Sequence, residues 1–305
     1  MNRQNAFTLL ATFALLFCFT FSCNAKGKDK AKHVVFIGLD GWGAYSLPKA
    51  DMPNVKKLME DGSYTLKKRS ALPSSSAINW ASMFMGAGPE LHGYTEWGSK
   101  TPELPSRVLN KNGIFPTVFQ LLRDARPEAE IGCLYEWEGI KYLVDTLSLN
   151  YHYHVADCNK TPKELGNMSS SYIKEKHPAL VAICFDGPDH TGHTEGHDTP
   201  AYYEKLKELD SYVGQIVQAV KDAGMLDDTI FILTSDHGGI DKGHGGKTMQ
   251  EMETAFIISG KNIKKGLRFD DISMMQYDVA STIASIFNLE QPQVWIGRPM
   301  KIVFK

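Results

Sequence analysis

Short apolar runs alternate with amphipathic segments along most of the chain. The apolar runs end near an acid or a glycine and are typical of buried strands; they span 33–40, 130–135, 180–186, 228–236 and 253–260. Between them, apolar residues recur at helical spacing, which predicts helices over 52–62, 74–86, 115–125, 199–224 and 275–289. This alternation predicts an α/β fold with a mainly parallel central sheet and helices on both faces.

The amino-terminal segment differs from the rest of the chain. It has one arginine near the start, then an apolar run over 6–21, then small residues, which is the order typical of a signal peptide. The run is shorter than the roughly 20 residues of a membrane-spanning helix. We therefore predict a signal peptide over 1–25, a lysine-rich tether over 26–32 and a single domain over 33–305.

Two further possibilities stay open at this terminus. The apolar run could be kept as a membrane anchor, or cleavage before Cys23 could leave that cysteine as a lipid anchor. In each case the domain is expected outside the cytoplasm, in the periplasm, at the cell surface or in the medium. After removal of the signal peptide Cys133, Cys158 and Cys184 remain, so at most one disulfide forms within the chain, and the apolar run around Cys184 predicts a core position.

The formal net charge of −2 gives no indication of a nucleic-acid polymer as partner. The chemistry lies instead in acids at the ends of predicted strands, namely Asp40, Asp186 and Asp236. The carboxyl ends of parallel strands meet at one edge of a sheet, where reactive groups gather. A single acid there could be a turn residue, but three beside histidines predict a functional site.

Histidines crowd into two segments, DGPDHTGHTEGHD over 186–198 and TSDHGGIDKGHGGK over 234–247. Aspartate and neutral imidazole are usual ligands of Zn²⁺. Asp189, His193 and His197 are each four apart, so spacing alone does not decide which of them bind metal. A glycine-rich surface loop with incidental histidines would explain the same pattern without a metal.

The segment LPSSSAINW over 72–80 places serines at a predicted helix start. Backbone N–H groups there can hold an anion. Ser74, Ser75 or Ser76 could simply cap the helix, or one of them could be a metal-activated nucleophile.

Four motifs together resemble the alkaline phosphatase superfamily, and within it the type I phosphodiesterase/nucleotide pyrophosphatase-like branch. They are GLDGWG (38–43), LPSSSAINWASMFMGAGPELHGY (72–94), FDGPDHTGH (185–193) and SDHGGIDKGHGG (235–246). The resemblance runs in order from about residue 33 to WIGRPM near residue 300 and implies an alkaline-phosphatase-like fold for one catalytic domain.

The resemblance also implies two Zn²⁺ ions and a serine nucleophile. One ion would be held by Asp189, His193 and His244, and the other by Asp40, Asp236, His237 and the Ser76 Oγ. Ser76 is chosen over Ser74 because the family's nucleophile lies three residues before an asparagine, here Asn79, a candidate substrate contact. Ser76 would attack phosphorus, and water would split the phosphoseryl intermediate.

Two positions depart from this family pattern or lie outside its ligand set. Trp97 stands where many nucleotide-cleaving members have an asparagine, and it could stack on a substrate ring or pack as a plain indole. His197 is not a ligand position in the family, so we expect it to line the pocket and contact substrate, with His190 as a bystander.

The sequence therefore predicts an exported two-zinc phosphoric ester hydrolase that acts on a small phosphoester. A phosphodiesterase is favoured over a phosphomonoesterase because 77–92 contains no Arg or Lys for an additional phosphate oxygen. A sulfatase is disfavoured because SSSAI over 74–78 lacks the proline and arginine of the sulfatase motif. A phosphate transferase and a non-catalytic zinc-binding module are less favoured than the hydrolase.

Overall fold

The computed structural model describes residues 29–156 and 161–305, and its centre is an eight-stranded sheet. The strands are β1 (His33–Leu39), β2 (Gly62–Arg69), β3 (Ile131–Tyr135), β4 (Tyr151–His154), β5 (Leu180–Phe185), β6 (Thr229–Thr234), β7 (Glu253–Gly260) and β8 (Leu267–Arg268). Their order is β4-β3-β5-β1-β6-β7-β2-β8. All pairs are parallel except β6 with β7 and β7 with β2, which confirms the mainly parallel sheet.

Helices cover both faces of this sheet. They are α1 (Pro53–Glu60), α2 (Ser76–Met85), α3 (Pro89–His92), α4 (Val118–Ala125), α5 (Lys163–Lys176), α6 (Gly187–Glu195), α7 (Pro200–Asp222), α8 (Met249–Met252) and α9 (Asp278–Ile286). Alternate residues of β1 point to opposite faces. Val34 and Phe36 pack with α2, α4 and α9, whereas Val35 and Ile37 pack with α1, α5 and α7. Both cores are apolar, so the sheet is buried on both sides.

Each strand and helix predicted from periodicity is present, and the ends differ from the predicted ones by a few residues. The predicted helix over 74–86 begins at Ser76 because Ser75 is extended, with φ −137° and ψ 161°. The unpredicted elements have weak patterns: β2 carries three basic residues, and α6 is rich in Gly, His and Asp, which are poor helix formers. Their structure depends on tertiary contacts rather than on local propensity.

The predicted signal peptide with Cys23 and residues 26–28 of the tether lie outside the described residues, as does Cys158. Within the described ranges, no helix is both long and apolar enough to cross a membrane. Cys133 and Cys184 are both buried free thiols, and the core position predicted for Cys184 is confirmed.

Candidate metal centre and active site

The carboxyl ends of β1 and β6, which are neighbours in the sheet, bring together three buried side chains. Asp40 follows β1 directly, and Asp236 and His237 follow β6. The His237 Nε2 atom lies 3.4 Å from the Asp40 Oδ1 and 3.3 Å from the Asp236 Oδ2. We call these three residues the inner group. It matches the sequence expectation that acids at strand ends converge.

A second set of candidate metal ligands lies nearer the surface, on a helix and a loop. Helix α6 carries Asp189 and His193 one turn apart, with the His193 Nε2 3.1 Å from the Asp189 Oδ2. His244 comes from the glycine-rich loop after β6, and its Nε2 lies 3.7 Å from the Asp189 Oδ1. These three residues form the outer group. Ligand atoms of Asp189 also lie within 4.8 Å of those of Asp40 and His237, so Asp189 faces both groups.

Backbone carbonyls orient all three imidazoles of these groups in the same way. The Nδ1 of His237 faces the Gly238 carbonyl at 2.8 Å, that of His193 faces the Lys242 carbonyl at 3.0 Å, and that of His244 faces the Ser74 carbonyl at 3.0 Å. A carbonyl only accepts hydrogen bonds, so each Nδ1 carries the proton and donates. Each ring therefore directs its Nε2 toward the acids, and this nitrogen can bind a metal when it carries no proton, which is the arrangement of a metal-ligating histidine.

The acids supply matching oxygens. The Asp40 Oδ1, Asp189 Oδ1 and Asp236 Oδ2 are buried and have no hydrogen-bond partner among the described residues. A buried carboxylate oxygen without a partner is costly unless a cation or a proton is nearby. The nitrogen–oxygen separations of 3.1 to 3.7 Å are close to the roughly 3.4 Å between ligands of one tetrahedral ion with bonds of about 2.1 Å. The donor set therefore fits divalent cations such as Zn²⁺.

The pKa values of the acids indicate that the inner group favours a nearby positive charge. Burial, followed by repulsion from Asp189, raises the pKa of Asp236 to about 8. Burial and the neighbouring acids, Asp236 first, raise the pKa of Asp40 well above its usual range. Burial likewise acts to raise the pKa of Asp189, but its hydrogen bond with His193 and the other nearby imidazoles outweigh burial and lower it to about 2. Asp236 therefore holds a proton at neutral pH that a bound cation would displace.

Ser76 is the serine that faces the inner group. It is the first residue of α2, and its Oγ lies 3.1 Å from the His237 Nε2. The Ser74 hydroxyl is instead occupied, since it donates to the Gly246 carbonyl at 2.7 Å and accepts from the Gly245 N–H at 3.2 Å. This difference supports the choice of Ser76 as the candidate nucleophile.

Asn79 is not placed to contact substrate, contrary to the expectation from the family motif. Its side chain is fully buried and forms hydrogen bonds with the loop that precedes α2, residues 71–75. Its Oδ1 accepts from the Ala71 N–H at 2.7 Å, and its Nδ2 donates to the carbonyls of Ala71, Pro73 and Ser75 at 3.0 to 3.2 Å. Asn79 therefore holds the loop that positions Ser76.

His197 also differs from its predicted role as a pocket-lining residue. Helix α6 ends at Glu195, and Gly196 at φ 98° turns the chain inward. The ring has no exposed surface and lies between Gly192 and Gly239, where an added Cβ would come within 2.3 Å of the ring. Its Nε2 lies 3.9 Å from the Asp189 Oδ1. His197 therefore sits behind a candidate ligand, out of reach of substrate.

A cavity of about 540 Å³, which we call the main cavity, opens beside Ser76 and the outer group. Its lining residues are Ser75, Ser76, Trp97, Trp137, Asp186, Asp189, His190, His193, Gly243 and His244. Trp97 is 67% exposed, and its carbonyl accepts from the Ala77 N–H at 3.1 Å, so its backbone is tied to the start of α2. His190, predicted to be a bystander, lines the cavity as well.

Sequence reasoning missed the residues that support the inner group. Trp80 donates its Nε1–H to the Asp40 Oδ2 at 2.9 Å. Its position four residues after Ser76, on the same face of the predicted helix, could have indicated that it lies close to the site. Lys68 is fully buried and donates to the Ser235 carbonyl at 2.7 Å, while Ser70 donates to the Asp236 carbonyl at 2.7 Å. These contacts fix the backbone that carries Asp236 and His237.

Gly41 shows why the backbone at this site needs a glycine. Its φ is +67°, a conformation that L side chains rarely adopt, and an added Cβ would lie 2.7 Å from the Asp189 side chain. Its N–H also donates to the Asp236 Oδ1 at 3.2 Å. The glycine thus allows β1 to approach both groups.

The family model for "Type I phosphodiesterase / nucleotide pyrophosphatase" matches residues 34–256, which include every predicted ligand. The chain belongs to this family. A bis(5'-adenosyl)-triphosphatase from mouse is 25% identical over 222 residues, covering 69% of this chain and 48% of the relative. A GPI ethanolamine phosphate transferase 3 from Schizosaccharomyces pombe is 29% identical over 122 residues, covering 39% of this chain and 13% of the relative. The chain thus spans about half the length, or less, of these two relatives.

Solved structures show the same fold at low sequence identity. A murine ectonucleotide pyrophosphatase/phosphodiesterase 5, in an inactive form in complex with AMP, superposes with a TM-score of 0.68 at 15% identity, covering 86% of this chain and 96% of that one. A putative sulfatase from Bacteroides thetaiotaomicron gives a TM-score of 0.71 at 15% identity, covering 89% and 74%. The alkaline-phosphatase-like fold expected from the motifs is therefore confirmed.

Proposed function

We propose that the chain is an exported, two-zinc phosphodiesterase in which the Ser76 Oγ is the nucleophile. The observation that carries this proposal is the convergence of three buried, unpartnered carboxylate oxygens and three oriented imidazole nitrogens beneath the Ser76 hydroxyl. The inner group, with Ser76, would hold one ion, and the outer group would hold the other. A single domain over 33–305 would contain the whole site.

Two bound cations would supply positive charge to activate the serine hydroxyl and to stabilise the oxygens of an in-line displacement. The Ser76 Oγ forms a bond to phosphorus as the bond to the leaving alcohol oxygen breaks, and the alcohol departs with a proton. Water then attacks the phosphoseryl group and restores Ser76. The positive end of α2 lies at Ser76 and stabilises the phosphoryl oxygens throughout.

The side chains around the cavity favour a diester over a monoester. A monoester presents one more charged oxygen, which enzymes commonly satisfy with Arg or Lys. None of the described residues that line the main cavity is an Arg or a Lys. The names of the mouse and fission yeast relatives indicate phosphoryl-transfer chemistry. A phosphomonoesterase remains the second candidate, and the likeness to sulfatases is one of fold.

A substrate panel tests this proposal. Purified protein with added Zn²⁺ should hydrolyse bis-p-nitrophenyl phosphate and the p-nitrophenyl ester of thymidine 5'-phosphate faster than p-nitrophenyl phosphate. Removal of metal with a chelator should abolish the activity, and Zn²⁺ should restore it. Much faster hydrolysis of the monoester would overturn the diesterase assignment, and full activity after complete metal removal would overturn the metal-dependent mechanism.

A further inference from the structure

His197 is a buried histidine beside the candidate metal centre, and the mechanism above gives it no role. Its side chain has no exposed surface. Both of its ring nitrogens are buried, and neither has a hydrogen-bond partner within residues 29–156 and 161–305. A polar group that is buried without a partner costs free energy. A partner at the metal centre would reduce that cost.

The backbone around His197 is fixed on both sides, so the ring is held in one place. Gly196 and Asp198 both have positive φ, at 98° and 61°, where the chain turns between α6 and α7. The His197 N–H donates to the Asp241 carbonyl at 2.6 Å. The Asp198 carboxylate pairs with the Lys49 Nζ at 2.9 Å. These contacts anchor the short connection that carries the imidazole.

Two glycines leave room for the His197 ring. A Cβ added at Gly192 or at Gly239 would lie 2.3 Å from the Cε1 and the Nε2 of this ring, and for both glycines the three nearest atoms belong to His197. Neither glycine has a positive φ, so the backbone conformation does not require glycine at these positions. The space that they leave is occupied by the imidazole.

The Nε2 of His197 faces a carboxylate oxygen that also lacks a partner. It lies 3.9 Å from the Asp189 Oδ1. That oxygen is buried and has no hydrogen-bond partner in the described part of the chain. The distance is about 1 Å longer than an N–H···O hydrogen bond, so a small shift of either side chain would join the two atoms. A carboxylate oxygen only accepts, so the Nε2 would carry the proton and donate it.

Asp189 is the candidate ligand whose orientation affects both groups. Its ligand atoms lie within 4.8 Å of those of Asp40 and His237 in the inner group and of His193 and His244 in the outer group. His193 contacts its Oδ2 at 3.1 Å. The Oδ1 has two lone pairs, so it can bind a cation and accept a hydrogen bond at the same time. Hydrogen bonds of this kind orient ligating carboxylates and raise metal affinity.

We propose that His197 is a positioning residue for the metal centre: its Nε2–H donates to the Asp189 Oδ1 and fixes the carboxylate that faces both groups. His197 would then do for Asp189 what Trp80 does for Asp40, whose Oδ2 accepts from the Trp80 indole N–H. The fold would thus place a buried donor behind one aspartate of each group. This role rests on the two-zinc site proposed above.

Two substitutions of similar length separate the donor from the packing. In His197→Gln the side-chain amide can still reach Asp189 and donate, whereas in His197→Met a side chain of similar reach fills the space without a donor. We expect His197→Met to weaken the binding of one of the two Zn²⁺ ions by about 10- to 100-fold, and His197→Gln to stay within about threefold of the parent protein. Competition with a zinc chelator measures these affinities without a substrate.

Two further measurements exclude indirect effects. Visible absorption of the Co²⁺-loaded protein should change in His197→Met and stay like that of the parent in His197→Gln, since only the latter keeps the donor. Thermal unfolding with chelator shows that each metal-free variant folds. If His197→Met does not fold, His197→Asn replaces it, because its amide is one carbon shorter and does not reach the position of the Nε2.

His152→Met is the control, because His152 is an exposed histidine on β4, at the edge of the sheet. It should leave both zinc affinities unchanged. Parent-like affinity in His197→Met, or equal losses in His197→Met and His197→Gln, would overturn the positioning role while the two-zinc site stands. A parent protein that binds fewer than two Zn²⁺ ions would overturn both. If two ions bind and no ester is cleaved, the phosphodiesterase proposal fails, and the zinc affinities still decide the role of His197.

Discussion

The inner and outer groups use the same donor atoms but differ in how the fold supplies them. The inner group is fully buried at the ends of two neighbouring parallel strands, and Trp80, Ser70 and Lys68 hold it from below. The outer group sits on a short helix and a glycine-rich loop, and the His193 side chain is 45% exposed. The comparison indicates that strand ends provide the rigid half of such a site and that loops provide the adaptable half.

Among the substitutions that compare the two groups, removal of an inner acid should cause the largest loss of kcat/KM. Asp236→Asn should lower kcat/KM by about 10³-fold or more, because it removes charge that holds a cation worth several kcal/mol of transition-state stabilisation. The metal-free variant should melt no lower than the metal-free parent at neutral pH, because the carboxyl it replaces is buried beside other acids. Metal analysis and thermal unfolding with chelator check both points. A variant with full zinc content and turnover would remove Asp236 from the ligand set.

Removal of an outer ligand should have a smaller effect. His193→Ala should lower kcat/KM by about 10²-fold, because water can occupy the position of this half-exposed imidazole. Steady-state kinetics at several zinc concentrations should show partial recovery at high metal. A loss as large as that of Asp236→Asn, with no recovery, would contradict the division into rigid and adaptable halves.

The contribution of the hydrogen bonds around the inner group can be tested without substituting a candidate metal ligand. Trp80→Phe keeps an aromatic ring in the core but removes the N–H donated to the Asp40 Oδ2. Partners of this kind change metal affinity by about 10- to 100-fold, and we expect the low end of that range. Competition with a zinc chelator measures the affinity. Met85→Leu, in the same helix and the same core, is the control and should leave the affinity unchanged.

The change of zinc affinity with pH should be the smallest of these effects, and it should be gradual. Because the pKa of Asp236 is raised to about 8, this acid is largely protonated at neutral pH in the metal-free protein and must lose its proton to bind a cation. Zinc affinity should therefore fall as pH decreases below about 8. Titration calorimetry in buffers of different ionisation enthalpy should show proton release at pH 7. Binding independent of pH between 6 and 8 would contradict the raised pKa.

Periodicity was sufficient for the fold, and the acids at strand ends together with the family resemblance were sufficient for the set of side chains that converges. Buried strands such as β1 and β6 have strong apolar patterns, and the acid after each must lie at the same sheet edge. Spacing could not decide the role of His197, because helix α6 ends at Glu195 and the chain turns inward at Gly196. The expected substrate contact differs from the structure for the same reason. Asn79 was misassigned because a motif does not show which way a side chain hydrogen-bonds. Lys68 and Ser70 act through nonlocal backbone contacts that no local pattern shows.

The most direct test of the central claim compares two serines of one loop. Ser76→Ala and Ser74→Ala should be purified, loaded with zinc and assayed against the same p-nitrophenyl diester. We expect Ser76→Ala to bind zinc with near-normal stoichiometry and to lose at least about 10³-fold in kcat, because the covalent step is removed. Ser74→Ala, which loses only loop hydrogen bonds to Gly245 and Gly246, should retain most turnover. Surviving turnover in zinc-loaded Ser76→Ala would contradict the assignment of Ser76 as the nucleophile.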